Sequence, residues 1–430
     1  MGVKVELMSK EVIKPATPTP DHLRTLERTL FDQVMPQIYI NAIFFYSKTS
    51  NDQTLTTLSQ RLKNSLSEIL TRFYPLAGRM EGVSVNCNDE GALFTEARAD
   101  TLLSDYLTNP DAVSLKQLII NPCDRLDPGS WPLLHVKVSF FRTEGVAVAV
   151  SVSHEIFDVA SFLAFVRSWA DSIRGCAVAS PQFIASTFYP PADLSYEFPP
   201  LLPNGDNFIT KRSVFDPSKI KELKSRAASE HVPDPTRVEA VEALLFKAIK
   251  ASRSNEPFAT TQTMNLRPRL ASALAPNAMG NFFYLPLLTE DSEGEMKIAK
   301  TVIKLRKTKD ELSEIIKEDH SHGTTRTTST AELGERVASE MLTSLCELSP
   351  EMDKYLVTSL CRMPFYDVDF GWGRPVWVAT YAYETPKMCI LMDARDGEGI
   401  EVWVNFPEGH MLAFEHDQDL LSFATPNPRI

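Results

Sequence analysis

The stretch 146–175 changes its hydrophobic period at one point, and this change constrains the fold more than any other feature of the chain. Up to Ser153, valines alternate with alanine and serine, which predicts a β-strand. Beyond Asp158, apolar residues recur every three or four positions until Gly175, which predicts an amphipathic helix. His154 lies between the two elements. The pattern therefore predicts an imidazole that faces a cleft and an aspartate that caps the helix or forms an ion pair.

Strands and helices are interspersed along the whole chain, which predicts an α/β fold with mixed sheets flanked by helices. A proline-rich stretch with little periodicity covers residues 181–206 and indicates a crossover between two halves. We predict a first domain at 1–196, a linker at 197–207 and a second domain at 208–430. A strand segment near 376–395 is predicted to pack with the first domain.

Several local patterns predict individual elements. The turn residues Asn88–Gly91 follow an alternating segment and predict a β-hairpin. Asp216 and Pro217 predict the start of a helix, since aspartate is a preferred N-cap and proline is tolerated at the first helical position. Charged residues from about 292 to 317 predict one or two helices. The polar segment 320–330 predicts an exposed loop, and its two histidines lack the further ligands of a metal site.

Composition excludes several classes of protein. The 430 residues include 44 basic and 56 acidic side chains, and the resulting net charge of −12 disfavours nucleic acid as a partner. No apolar run is long enough to span a bilayer, and the charged N-terminus is unlike a signal peptide. The six cysteines are scattered and form no C-x-x-C pair, which predicts reduced thiols and a cytoplasmic location.

His154 is the best candidate for chemistry among the eight histidines. The chain lacks the G-x-S-x-G, G-x-x-x-x-G-K-[ST], H-E-x-x-H and G-x-G-x-x-G motifs. A neutral histidine at the end of a strand has the pKa range and the reach that a general base needs. The alternative, a structural histidine with satisfied hydrogen bonds, stays open on these residues alone.

Ordered motifs supply a family resemblance. The strings HEIFD and DFGWGRP resemble the paired motifs of the BAHD acyl-CoA-dependent acyltransferases of plants, and further strings stand in that family's order: SLSEILTRFYPLAGR, CNDEG, NLRPR, AMGN and FYDVDFGWG. The N-terminal arm is most similar to the vinorine synthase-like clade, which includes triterpene-alcohol acetyltransferases. The resemblance covers the whole chain and implies a two-domain fold related to chloramphenicol acetyltransferase.

The resemblance also implies an activity. Acyl-CoA, most simply acetyl-CoA, and an alcohol of specialised metabolism would meet in a channel between the domains of a monomer. His154 would remove the hydroxyl proton without a covalent acyl-enzyme. A triterpene or sterol-like alcohol is favoured as the acceptor. The alternatives are an alkaloid O-acetyltransferase, an N-acyltransferase and a non-catalytic binding protein on the same scaffold.

Further site residues follow only from the resemblance. Asp158 would be structural and would pair with Arg267. The DFGWG residues would also be structural: Asp369, Gly371, Trp372 and Gly373.

The co-substrate and oxyanion contacts are implied in the same way. Thr236 matches a family position that contacts CoA, and the basic segment that includes Lys211 and Arg212 would bind its phosphates. Leu360 stands where the family usually has a tryptophan that helps near the oxyanion, and leucine has no hydrogen-bond donor. Thr358 is the predicted catalytic donor, with an assisting water or modest catalysis as the alternatives. The smaller Leu360 is predicted to widen the channel for a bulky acceptor.

Overall fold

The computed structural model describes residues 3–33, 35, 37–47, 55–120, 130–142, 145–191, 208–253, 258–270, 274–290, 296–321, 330–346, 352–380 and 385–430. The predicted linker at 197–207 and most of the polar segment 320–330 lie outside these residues. Two large mixed β-sheets organise the described part, and helices flank both. The predicted fold class is confirmed.

The strands are numbered along the chain, and their bounds are β1 Val5–Ile13, β2 Thr25–Glu27, β3 Tyr39–Tyr46, β4 Arg79–Glu81, β5 Ser84–Asn86, β6 Ala92–Ala99, β7 Leu134–Phe140, β8 Val146–Ser153, β9 Phe208–Phe215, β10 Phe258–Asn265, β11 Phe283–Tyr284, β12 Leu287–Glu290, β13 Asp353–Ser359, β14 Trp377–Thr380, β15 Met388–Asp393, β16 Ile400–Pro407 and β17 Thr425–Pro426.

The α-helices have the bounds α1 Leu30–Gln33, α2 Leu55–Leu70, α3 Leu103–Thr108, α4 Ala112–Lys116, α5 Val159–Ile173, α6 Pro217–Ala227, α7 Arg237–Ala251, α8 Ile298–Ser321, α9 Thr330–Cys346, α10 Glu408–Glu415 and α11 Gln418–Phe423. The predicted strand–helix switch at 154–158 corresponds to the junction between β8 and α5.

The first sheet has the order β1-β6-β7-β8-β3-β14. Its central strands are rich in valine and phenylalanine and are buried along almost their whole length. The helices α2 and α5 contact each other and bury their apolar stripes in the same core cluster as the strand residues. This sheet therefore provides the rigid support on which the segment after Ser153 is fixed.

The second sheet has the order β11-β10-β13-β15-β16-β9-β17, with β12 paired to β10. The helices α6, α7, α10 and α11 pack together on one of its sides around a separate apolar cluster. The strand β14 follows β13 in the chain but pairs antiparallel with β3 in the first sheet. The second half of the chain thus supplies a strand to the sheet of the first half.

The register of the second sheet shows which of its side chains face the first sheet. Val357 and Leu391 belong to the helix-side cluster, whereas Ile390 and Trp403 belong to the core of the first sheet. Thr358 lies opposite Ile390 in the parallel pair of β13 and β15. Because side chains of directly paired residues lie on the same face, Thr358 points between the two sheets.

One prediction about a local element, the hairpin at Asn88–Gly91, is wrong. The turn residues Asn88–Gly91 do not close a hairpin, because β5 pairs with β4 and β2 while β6 pairs with β1 and β7. The hairpin turn lies instead at Gly82, whose φ of +59° is accessible to glycine at little cost. Asn88 and Asp89 therefore begin a connection between two sheets.

Candidate active site

His154 lies directly after β8, at the contact between the two halves of the chain. Its backbone N–H donates to the carbonyl oxygen of Ile38 at 2.9 Å, which continues the pairing of β8 with β3 by one residue. The imidazole packs edge-on against Phe283 of β11, with the ring centroids 6.4 Å apart. The side chain keeps an intermediate exposure. It therefore lies on the wall of a space between the two sheets.

The surroundings of His154 favour its neutral form. Desolvation by the enclosing protein lowers the pKa of the imidazole, and the charge of Asp158 only partly opposes this effect. A histidine with a lowered pKa is unprotonated at neutral pH and can accept a proton. The partial exposure of the side chain leaves it accessible to a substrate.

Asp158 is engaged away from this space. It caps α5, with Oδ1 accepting the Ser161 N–H at 2.9 Å, while Oδ2 accepts the Phe282 N–H at 3.1 Å and an N–H of Arg267 at 2.5 Å. Burial alone would raise the pKa of Asp158, but the Arg267 guanidinium and the backbone donors hold it below its usual value. Both carboxylate oxygens are occupied, so Asp158 stabilises the loop and the helix start.

Arg267 extends this connection into the second half of the chain. It follows β10 and donates through Nη2 to Ser161 Oγ at 2.8 Å and to the Gly280 carbonyl oxygen at 3.1 Å. Its guanidinium also stacks 4.8 Å from the centre of the Phe282 ring. One side chain thus joins the start of α5 to the segment that precedes β11.

The DFGWG segment, residues 369–373, forms a tight turn beside α5. Oδ1 of Asp369 accepts the N–H groups of both Gly371 and Gly373, at 2.7 and 2.8 Å. These glycines have φ of +96° and +101°, a region that side chains disfavour. Phe370 is fully buried against Trp169, and Trp372 packs edge-on against Tyr46. The contacts of this segment are those of a structural element.

Thr358 and Leu360 lie at the end of β13 and just beyond it. Thr358 faces the first sheet, as its register shows, and is partly exposed. Leu360 is 6% exposed and packs in the core of the first sheet, while its N–H donates to the carbonyl oxygen of Leu391. The side chain of Thr358 therefore lies on the face of the second sheet that is turned toward the first sheet.

The contact between Arg212 and the CoA phosphates stays a prediction, and the structure gives this side chain intramolecular partners. The side chain is buried, and its Nε donates to Glu401 at 2.7 Å while Nη1 donates to the carbonyl oxygen of Pro428 at 2.7 Å. Its guanidinium also lies 5.4 Å from the centre of the Trp377 ring. Because β9 lies three strands from β13, Arg212 is about 14 Å from Thr358 across the sheet.

Lys211 and Thr236 stay predicted CoA contacts. Lys211 pairs with Glu415 at 3.1 Å and lines a cavity of about 820 Å³ between β9, α10 and the segment 109–116. Thr236 is the N-cap of α7, where its side-chain oxygen accepts the Glu239 N–H at 3.2 Å. The structure brings neither residue into contact with His154.

Sequence reasoning missed a buried polar chain beside His154. The amide of Asn281 donates to the carbonyl oxygen of His154 at 2.8 Å and to Asp32 at 2.7 Å. Arg28 and Glu155, both buried, form an ion pair at 3.2 Å next to these residues. The position of Asn281 in the AMGN string is the one sequence signal that could have drawn attention to it.

Comparison with known proteins gives a consistent assignment. The model of the Transferase family matches residues 3–421. BAHD acyltransferase BIA1 of Arabidopsis thaliana is 42% identical over the whole length of both chains, and limonoid 21-O-acetyltransferase of Melia azedarach is 30% identical, also over both whole chains. The crystal structure of vinorine synthase superposes with a TM-score of 0.82 at 32% identity and covers 98% of each chain.

The two-sheet α/β fold, the partly exposed histidine between its halves and the comparisons together indicate an acyl-transfer enzyme. The chain belongs to the Transferase family, the BAHD acyltransferases. It is an acyl-CoA-dependent acyltransferase of specialised metabolism, and its substrates are an acyl-CoA and a small-molecule acceptor. Within the described residues, no helix is long and apolar enough to cross a bilayer, and no group of three His, Cys, Asp or Glu side chains could hold a metal ion.

The ion pair of Asp158 and Arg267 predicts a large effect on stability. Replacement of Asp158 by Ala leaves the Arg267 guanidinium partly buried without its carboxylate and removes the cap of α5. We expect the free energy of unfolding to fall by about 3–5 kcal/mol, measured by chemical denaturation. The control is Asp171→Ala, which removes the surface pair with Arg174 and is expected to cost at most about 1 kcal/mol. Equal stability of both variants would contradict a structural role for Asp158.

Proposed function

We propose that this enzyme transfers an acetyl group from acetyl-CoA to a hydroxyl of a triterpene or sterol-like alcohol, with His154 as the general base. The observation that carries the proposal is the state of His154. Its imidazole is accessible, has a lowered pKa and lies between the two sheets, while Asp158 is fully engaged with Arg267. A base of this kind acts on a proton within hydrogen-bond reach.

The chemistry then needs one ternary complex. His154 removes the proton from the acceptor hydroxyl as its oxygen attacks the thioester carbonyl carbon. A carbon–oxygen bond forms, and the carbonyl electron pair moves onto oxygen to give a tetrahedral oxyanion. The oxyanion collapses, the carbon–sulfur bond breaks, and the imidazolium returns its proton to the leaving thiolate. The products are the ester and CoA, and no acyl-enzyme is needed because both substrates are held together.

Thr358 is the proposed oxyanion donor. Its side chain points between the sheets, and a threonine hydroxyl can donate one hydrogen bond. Leu360 has no donor, so the stabilisation that the family's usual tryptophan supplies must come from Thr358 or from water. Loss of one oxyanion donor costs about 2.7–4 kcal/mol in related acyl-transfer sites.

The preference for a bulky alcohol is supported by Leu360 and by one relative. Leucine occupies less volume than tryptophan just beyond β13, and we propose that this difference widens the channel for a large apolar acceptor. The relative from Melia azedarach is named as a limonoid O-acetyltransferase, which fits a large apolar acceptor. The similarity to vinorine synthase supports the second candidate, an alkaloid acceptor. Acyl transfer to an amine remains an alternative, since it differs only in the attacking atom. The monomeric state and the cytoplasmic location of the enzyme stay predictions.

The general-base role predicts the behaviour of His154→Ala. We expect this variant to lose at least about 100-fold in kcat with acetyl-CoA and a panel of triterpene, sterol and alkaloid alcohols, because it cannot accept the hydroxyl proton. Free-thiol release measures turnover. The matched control is the exposed His22→Ala, which should keep the wild-type rate.

The pH dependence tests the same role. Because the pKa of His154 is lowered, the base stays unprotonated into mildly acidic solution. The acid limb of kcat/KM should therefore have its midpoint below about 6.5.

Turnover that persists in His154→Ala would exclude the proposed mechanism. An absence of thiol release with every alcohol of the panel would favour the non-catalytic binding protein.

The role of Leu360 is tested by Leu360→Trp. If this position sets the width of the channel, the substitution should lower kcat/KM for a triterpene alcohol and spare or improve it for a small alcohol. The ratio of the two values is the measurement, since a general loss of folded protein lowers both alike. An unchanged ratio would exclude Leu360 as a determinant of acceptor size.

A further inference from the structure

The proposed base needs a partner that Asp158 cannot provide. For Nε2 of an imidazole to accept a proton, Nδ1 must carry the hydrogen, and a hydrogen-bond acceptor at Nδ1 selects that tautomer. Both carboxylate oxygens of Asp158 are occupied by Ser161, Phe282 and Arg267. The buried Nδ1 of His154 has no hydrogen bond of ordinary geometry among the described residues, although the backbone carbonyl groups of His154 itself and of Phe157 lie near enough to the imidazole to act to raise its pKa.

Asn281 lies next to this imidazole and has one unused acceptor. Its side chain is fully buried, and its Nδ2 donates to the carbonyl oxygen of His154 at 2.8 Å and to Oδ1 of Asp32 at 2.7 Å. Both partners are acceptors, so the amide cannot be rotated by 180° without losing both bonds. Its Oδ1 is buried and has no hydrogen-bond partner in the described part of the chain.

Asp32 determines this orientation of the amide. Its Oδ2 accepts the Thr29 N–H at 2.8 Å, and its own N–H donates to Thr29 Oγ1 at 3.0 Å, so the carboxylate is held from its own loop. Burial raises the pKa of Asp32 to about 6, and it is therefore an ionised acceptor above that pH. The charged neighbours of this group are Arg28, which donates to the Asp32 carbonyl oxygen, and Glu155, which pairs with Arg28.

We propose that Asn281 is the positioning residue of His154: its Oδ1 accepts the Nδ1–H of the imidazole, and Asp32 fixes the amide in the orientation that allows this bond. Asn281 also influences the imidazole directly, since hydrogen bonding to its side chain acts to raise the pKa of His154. The chain Asp32–Asn281–His154 leaves the Nε2 lone pair free for the acceptor hydroxyl. This inference rests on the proposed role of His154 as the base.

The substitution Asp32→Asn tests the orientation of the Asn281 amide, because it changes the shape of the side chain at position 32 very little. The oxygen of the new amide keeps the bond from Thr29 N–H, so its NH₂ group faces the NH₂ group of Asn281. Two donors cannot bond to each other, and Asn281 must rotate. Its Nδ2 then faces Nδ1 of His154 and favours the tautomer with hydrogen on Nε2, which cannot accept the hydroxyl proton.

The expected result is a fall in kcat of about 100- to 10,000-fold, since a wrong histidine tautomer has a cost of this size in serine proteases. KM for acetyl-CoA should change by less than about threefold, because the substrate contacts are unaltered. The matched control is Asp21→Asn, an exposed aspartate in the same arm of the chain, which should keep the wild-type kcat. Thermal unfolding of both variants separates this effect from a loss of fold.

The tautomer is measured directly by ¹⁵N NMR on histidine-labelled protein, with His154→Ala used for assignment. The wild type should carry hydrogen on Nδ1 of His154, and Asp32→Asn should move it to Nε2. A wild-type Nε2–H tautomer, or an Asp32→Asn variant with unchanged tautomer and kcat, would overturn the proposal. The tautomer of His154 in the wild type can be measured even if the Asp32→Asn variant does not fold and even if no substrate is turned over. The proposed acyl transfer is tested separately, by the release of free thiol. If the wild type and His154→Ala release thiol at the same rate, the proposed function fails whatever the tautomer of His154.

Discussion

The buried ion pair between Asp158 and Arg267 is the interaction on which the rest of this structure depends. It joins the start of α5, which rests on the first sheet, to the segment after β10 in the second sheet. Ser161 and Gly280 complete the junction by bonding to each other and to the same guanidinium. One connected group of polar contacts therefore ties the start of α5, just after His154, to the second sheet.

A consequence is that the aspartate of the HEIFD string and the histidine have separate tasks. A carboxylate held by a guanidinium and two backbone donors has no free oxygen for the imidazole. The histidine is left with a lowered pKa, and Asn281 beside it has an unused acceptor oxygen. Asp158 therefore contributes to stability and His154 to the proposed chemistry, although both residues belong to the same motif.

The sequence predicted what depends on local patterns. The change of period around His154 located β8 and α5, and the order of the family motifs indicated the α/β class and the pairing of Asp158 with Arg267. The misassigned hairpin at Asn88–Gly91 shows the limit of such patterns, since turn residues do not reveal which strands they connect. Arg212 shows the same limit for charge. Its partner Glu401 is distant in the chain, and only the antiparallel register of β9 and β16 brings the two side chains to the same face, two residues apart along the strands.

The Asp32–Asn281 contact was unpredictable for a related reason. The two residues are 249 positions apart, and each is an ordinary polar residue in its own segment. Their meeting depends on both sheets and on the segments that precede β3 and β11. The acceptor preference could not be predicted for the same reason, because side chains that face the region between the sheets come from strands of both halves of the chain.

The most direct test of this account is a crystal structure of the protein with CoA bound. The account predicts that the thiol lies between the two sheets, within hydrogen-bond reach of His154 Nε2 at about 3 Å, on the side that Thr358 faces. A CoA molecule whose thiol lies in the cavity beside Lys211, away from the imidazole, would contradict it.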